Sequence, residues 1–215
     1  MAIYMWREYQ WMPWANTLAY RPLNSTTTVN DTSWNNNNLT KSGNVGFQVY
    51  ADACNVDCAY APWTLTYTTF PASNTILFWS FVPTTTTGTI IPVAQIGWNV
   101  IQFNSSNKQI RYRYVNYSWW TGTWDWFNCD IHGKRVLMWY TRDTTVPNIT
   151  FFIKGSWIDS TETYTSYPII NAYTLTFSNG SYNTYLSAAL AEDKTRTAQE
   201  VTDYYNRTKW LYWIN

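Results

Sequence analysis

The sequence predicts an all-β protein: two antiparallel sheets stacked as a jelly-roll sandwich, with one short helix near the C-terminus. Three observations carry this. The first is composition. Aromatic residues make up 20% of the 215-residue chain, and charged residues only 13%, about half the usual share. Thr, Tyr, Trp and Phe favour strands and Asn favours turns. The second is a series of short runs in which apolar and polar residues alternate. The third is a single helix signature close to the end. At this length a sandwich commonly stays undivided.

Residues 1–14 form an aromatic lead-in ending at Met12-Pro13-Trp14, with no clean period. They are expected to be an arm in which Trp6, Trp11 and Trp14 make assembly contacts. The sandwich is expected to occupy residues 15–215. Residues 17–23 alternate weakly, as a first strand. A polar turn region with four consecutive Asn (35–38) follows, and then the alternating strand 45–50. Residues 75–82 are a continuous apolar run between Asn74 and Pro83, the pattern of a strand covered on both faces. One or two strands are expected over 90–103, a strictly alternating one over 109–115, and others over 134–140 and 148–153. Lys154-Gly155 is the expected hairpin turn, with Gly supplying a positive φ. The last strands are expected over 173–177 and 183–189. Thr197-Ala198-Gln199-Glu200 is a capping box, and Val201, Tyr204 and Tyr205 fall on one stripe. A helix over 198–207 is therefore expected to lie on the sandwich.

The formal net charge of +1 gives no field that would draw nucleic acid. The basic residues are scattered. Arg111 and Arg113 alternate on one strand face, Lys134 and Arg135 fall at a turn, and all four are expected to be solvated. No run approaches the ~18 apolar residues of a membrane helix, and residues 1–8, without a basic or an apolar stretch, are not expected to act as a secretory leader. Cys54, Cys58 and Cys129 match no zinc spacing. Cys54 and Cys58 could bridge a turn, and buried free thiols are the alternative. Eight Asn-x-Ser/Thr sites occur; they matter only in a glycosylating compartment.

Several motifs then resemble the laminin-G-like, concanavalin A-like jelly-roll domains of phage and cell-surface proteins. They are Ala19-Tyr20-Arg21-Pro22-Leu23, Asp31-Thr32-Ser33-Trp34-Asn35 and Leu39-Thr40. Further on come Leu77-Phe78-Trp79-Ser80-Phe81, Phe151-Phe152-Ile153-Lys154-Gly155 and Tyr185-Leu186-Ser187. The stretch from Leu190 through Thr197-Ala198-Gln199-Glu200-Val201 to Tyr204-Tyr205-Asn206 completes the set. Trp34 stands where the family has Gly. The resemblance implies the sandwich fold and a calcium ion near Asp31, for which an Asx-turn is the alternative.

Catalysis is disfavoured. A glycosidase needs two carboxylates flanking the scissile bond, and Glu8, Glu162, Glu192 and Glu200 have no partner two positions away. Asp125 and Asp130 are out of phase on a regular strand. His132, the only histidine, precedes Gly133 in a turn and is expected to be a bonded or surface residue. The densest aromatic cluster spans 117–127. Trp119, Trp120, Trp124 and Trp126 could stack on sugar faces while Asp125 takes hydroxyls; core or subunit contact is the alternative reading. The sequence therefore points to a non-catalytic virion surface protein: a capsid decoration, a fibre or a tail adhesin, oligomeric or bound to other subunits, with a host glycan as ligand. A secreted or cell-surface carbohydrate-binding module is the rival reading, and a hydrolase of the same fold the third.

Overall fold

A computed structural model describes residues 18–20, 40–43, 46–50, 56–60, 63–67, 75–86, 90–96, 99–113, 124–143, 148–164, 175–177, 185–192 and 194–212. The strands are β1 (Leu18–Tyr20), β2 (Thr40–Gly43), β3 (Gly46–Tyr50), β4 (Val56–Tyr60), β5 (Trp63–Tyr67), β6 (Thr75–Phe81), β7 (Ile91–Ile96), β8 (Asn99–Asn104), β9 (Gln109–Arg113), β10 (Trp124–Asn128), β11 (Arg135–Asp143), β12 (Asn148–Gly155), β13 (Ile158–Tyr164), β14 (Leu175–Phe177) and β15 (Tyr185–Glu192). One helix follows, α1 (Ala198–Thr208), with a 3-10 turn at Lys209–Tyr212.

The strands form two antiparallel sheets. The eight-stranded sheet runs β13-β12-β11-β6-β15-β4-β3, with β1 also paired to β15. The seven-stranded sheet runs β10-β9-β8-β7-β14-β5-β2. Strand alternation sets what lies between them. Ile76, Phe78, Val136, Met138, Tyr140, Ile149, Phe151 and Ile153 from the first sheet meet Ile101, Phe103, Ile110 and Tyr112 from the second. Tyr112 packs against Tyr140 with ring centroids 5.6 Å apart.

The opposite face of β6, β11 and β12 carries further buried apolar side chains. Leu77, Trp79, Leu137, Trp139, Phe152 and Leu190 form a second apolar layer closed by Val201, with Tyr204 and Tyr205 packed on it. Tyr205 stacks on Trp79 at 5.9 Å, and Tyr204 meets Trp139 edge-on at 5.6 Å. The helix therefore makes a third layer, which is why every residue of β6 is buried.

The helix starts as its capping box predicts. Thr197 Oγ1 accepts from the Glu200 N–H, and the Glu200 carboxylate accepts from the Thr197 N–H at 2.9 Å. The segment before it is tied to the sheet: Thr75 Oγ1 donates to the Lys194 carbonyl at 2.6 Å, and the Arg196 N–H donates to Thr141 Oγ1 at 3.2 Å. Arg196 forks onto both oxygens of Glu192, a carboxylate with no exposed surface. Its third nitrogen, Nη1, donates to Glu200 at 3.0 Å, which Lys194 also pairs at 3.0 Å.

Burial opposes ionisation of Glu200, but the Thr197 N–H, Lys194 and Arg196 outweigh it and hold its carboxyl down to about 2. A depressed carboxyl stabilises the fold above its unfolded value, near 4.5. That contribution is lost as pH falls through the folded value. Acid titration of the wild type against Glu200→Gln should therefore show their stability difference shrinking between about pH 4.5 and 2. A difference independent of pH would contradict it.

The structure departs from four sequence expectations. The β12–β13 turn falls two positions late: Gly155 pairs with Ile158, so the turn residues are Ser156 and Trp157. The positive φ belongs to Trp157, at 62°. Gly155 is required for space instead, since a Cβ there would sit 3.0 Å from the Arg135 carbonyl. Arg111 and Arg135 are not solvated; each is 5% exposed. Arg135 opens β11 rather than sitting in a turn, pairing with Phe81. Strands β2, β4, β5, β10 and β13 lay outside the expected elements. The chain from Asn148 to Tyr164 became a long hairpin because polar β13 needs only one covered face.

An indole in the left-handed region is disfavoured by about 1–2 kcal/mol, and Trp157 is completely exposed. Trp157→Asn should therefore leave the melting point unchanged or raise stability by about 1 kcal/mol. A clear loss in a thermal melt would mean that the ring packs on something.

Candidate functional site

The outer face of the seven-stranded sheet is built from a three-strand meander, β8, β9 and β10. Alternation sends Ile101, Phe103, Ile110 and Tyr112 into the core, which places their neighbours on the opposite face. Register aligns those neighbours in rows. Trp126 lies beside Arg111 and Arg111 beside Gln102; Asn128 lies beside Gln109 and Gln109 beside Asn104; Trp124 lies beside Arg113 and Arg113 beside Val100.

The middle row is locked. Arg111 Nε donates to Gln102 Oε1 at 2.8 Å, and its guanidinium carbon lies 4.0 Å from the Trp126 ring centroid. A cation over an indole face is attracted to the ring quadrupole, so this pair fixes the plane of Trp126. Arg111 itself is buried, which makes it a support for the ring. Trp126 stays partly exposed. In the next row Gln109 Nε2 donates to Asn128 Oδ1 at 3.1 Å, on the exposed surface. Asn104 is committed to the turn, accepting from the Ser106 and Asn107 N–H groups at 3.0 and 3.1 Å. The face thus offers one oriented aromatic ring flanked by side-chain amides, a combination suited to the C–H faces and hydroxyls of a sugar.

Of the residues singled out in the sequence, Trp126 is the one whose contacts are defined. Trp124 and Asp125 are placed by register: Trp124 is in phase with Trp126, and Asp125, paired with Tyr112, is out of phase with both. Trp119, Trp120, Asp31, Trp6, Trp11, Trp14 and Cys54 lie outside the described residues. Cys129 is a buried free thiol; burial pushes it up to about 11.

His132 is engaged. Its Nδ1 accepts from Lys108 Nζ at 2.6 Å, its N–H donates to Asp130 at 3.1 Å, and its ring lies edge-on to Phe103 at 4.8 Å. Burial and the Lys108 charge lower its pKa, against the pull of Asp130. The lone pair a general base would use is therefore already taken. Glu192 and Glu200, which have no partner by sequence spacing, do converge, but on Arg196. That holds Glu200 ionised, the opposite of what a general acid requires. Among the described residues, no group of three or more His, Cys, Asp or Glu side chains is arranged to hold a metal ion.

The sequence matches no family model and no curated protein. Solved structures do match. A sialidase from Trypanosoma rangeli, in complex with sialic acid, aligns over 93% of this chain and 34% of that one, at 7% identity and a TM-score of 0.58. The chain has a concanavalin A-like jelly-roll fold. An alginate lyase aligns over 82% of the chain and 94% of its own length, at 11% identity and a TM-score of 0.50. Arcelin-5, a lectin-like defense protein from Phaseolus vulgaris, aligns over 85% of this chain and 100% of its own, at 11% identity and a TM-score of 0.49. At such identities the jelly roll is shared and function is not thereby transferred. Among the described residues, no helix of this jelly roll is long and apolar enough to cross a membrane.

The Arg111–Gln102 pair lies outside the sequence expectations, which send Arg111 to solvent. The signal was present. Two alternating runs flank Ser105-Ser106-Asn107-Lys108, and folding them back on that turn puts residue 102 opposite 111.

Proposed function

We propose that this chain is a non-catalytic carbohydrate-binding protein whose ligand lies on the outer face of β8, β9 and β10. The observation that carries this reading is Trp126, partly exposed and with its ring face against the buried Arg111 guanidinium. A sialidase that shares the fold is seen in complex with sialic acid, which supports the reading. The engaged His132 and the Arg196-bound carboxylates favour binding over turnover.

The proposed setting is a virion surface, as a capsid decoration, fibre or tail adhesin, with an extracellular binding module as the alternative. Its support is the charge-poor composition, rich in Thr, Asn and Tyr. Copies of the chain in purified particles would favour the virion setting.

Trp126→Ala should weaken binding to a glycan-array hit about tenfold, the worth of one ring contact, with the melting point nearly unchanged. Undiminished binding by this variant would remove the site. Release of reducing ends from a bound glycan would remove the non-catalytic reading.

A further inference from the structure

Trp157 is the one large hydrophobic side chain among the described residues with its entire surface in water; Trp210, at 53%, is half covered. It stands at φ 62° in a two-residue turn, where Asn or Gly would sit without strain. Among the described residues nothing packs on the ring, so neither packing nor turn chemistry accounts for it. Backbone strain combined with full exposure is the signature of a residue kept for contact with something else.

The turn is stiffly mounted. The β12–β13 register is unbroken from Ile149↔Tyr164 to Gly155↔Ile158, and Lys154 pairs with Asp159 at 2.7 Å directly beneath the tip.

Its position relates it to the sheet face. β10 is the edge strand of one sheet and β13 that of the other. The two edges lie together: Phe127 packs on Phe151 of β12 with centroids 6.3 Å apart, and both Phe127 and Ile158 border the same inter-sheet core. Trp126 immediately precedes Phe127, and Trp157 immediately precedes Ile158. One side of the sandwich therefore carries an oriented indole on its sheet face and a second indole at its hairpin tip, on sheets that stack about 10 Å apart, with the last pair before the tip four residues, roughly 13 Å, beyond Phe151 along β12.

We infer that Trp157 is a second saccharide platform, so that the ligand is an extended glycan reaching from the Trp126 face around the β10–β13 edge. This rests on the glycan-binding reading and makes it specific: a polymer or long oligosaccharide rather than a terminal mono- or disaccharide. The exposed indole offers both faces to sugar C–H surfaces.

The test uses immobilised neutral and acidic hexose glycans, each presented as mono-, tri- and hexasaccharide, with the full chain and two variants. Trp157→Asn removes the ring and relieves the backbone. The expected result is an affinity for the wild type that rises with glycan length, an about tenfold loss for Trp157→Asn on the hexasaccharide alone, and a loss at every length for Trp126→Ala. Hexasaccharide binding unchanged by Trp157→Asn but reduced by Trp126→Ala overturns this inference and leaves the sheet-face site standing. Wild-type protein that binds no glycan of any length overturns the glycan reading itself. Sedimentation showing self-association abolished by Trp157→Asn, with glycan affinity intact, assigns the ring to a second copy of the chain and overturns the inference equally.

Discussion

Glu192→Ala is expected to destabilise the fold by about 3–5 kcal/mol, because it strands a buried cation. Arg196 is 6% exposed and directs two of its donors at Glu192. The alanine variant leaves that guanidinium in the protein interior with the partly exposed Glu200 as its carboxylate partner. For a chain of this length the loss corresponds to a fall of roughly 10 °C or more in melting temperature. The distinguishing control is the double replacement Glu192→Met with Arg196→Met, which removes both charges. It should recover much of the loss, since an apolar pair of similar volume often replaces a buried ion pair without penalty. A single variant as stable as the parent would mean that the pair contributes nothing.

Trp139→Ala is expected to destabilise by about 3–5 kcal/mol and to loosen the helix layer specifically. Trp139 is buried between Leu77 and Phe152 in register and meets Tyr204 of α1 edge-on. Removing the indole opens a cavity exactly where the helix docks. The jelly-roll core on the other face of β11, made by Val136, Met138 and Tyr140, is untouched. Hydrogen exchange should therefore rise across 198–208 before it rises in β8 and β9. Trp139→Phe should lose less, because it keeps ring contact and removes an indole N–H that has no hydrogen-bond partner. Uniform exchange across helix and sheets would contradict a separable third layer.

The architecture was legible wherever packing imposes a period. β6 showed itself as an unbroken apolar run because the helix covers its outer face, and β9 as strict alternation because one face meets the core. The capping box announced α1 within one residue of its observed end. Residues whose environment is set by distant chain were not legible. Arg111 and Arg196 are charged side chains that sequence logic sends to water; their burial depends on Gln102, Trp126 and Glu192 arriving from other strands or from across a turn. The Trp157 turn was misplaced because Gly155 is the usual marker of positive φ, whereas here it answers a close approach by the Arg135 carbonyl. Of the aromatic cluster, composition identified the residue type and only register separated Trp126, on the outer face, from Phe127, against the core.

The most direct test of the glycan-binding account is a hydrogen-exchange footprint on the full chain with and without a saturating array-selected hexasaccharide. The account predicts protection concentrated in 99–113 and 124–128, extending to the 155–158 hairpin, with α1 unaffected. Protection confined to the helix side of the eight-stranded sheet would contradict it.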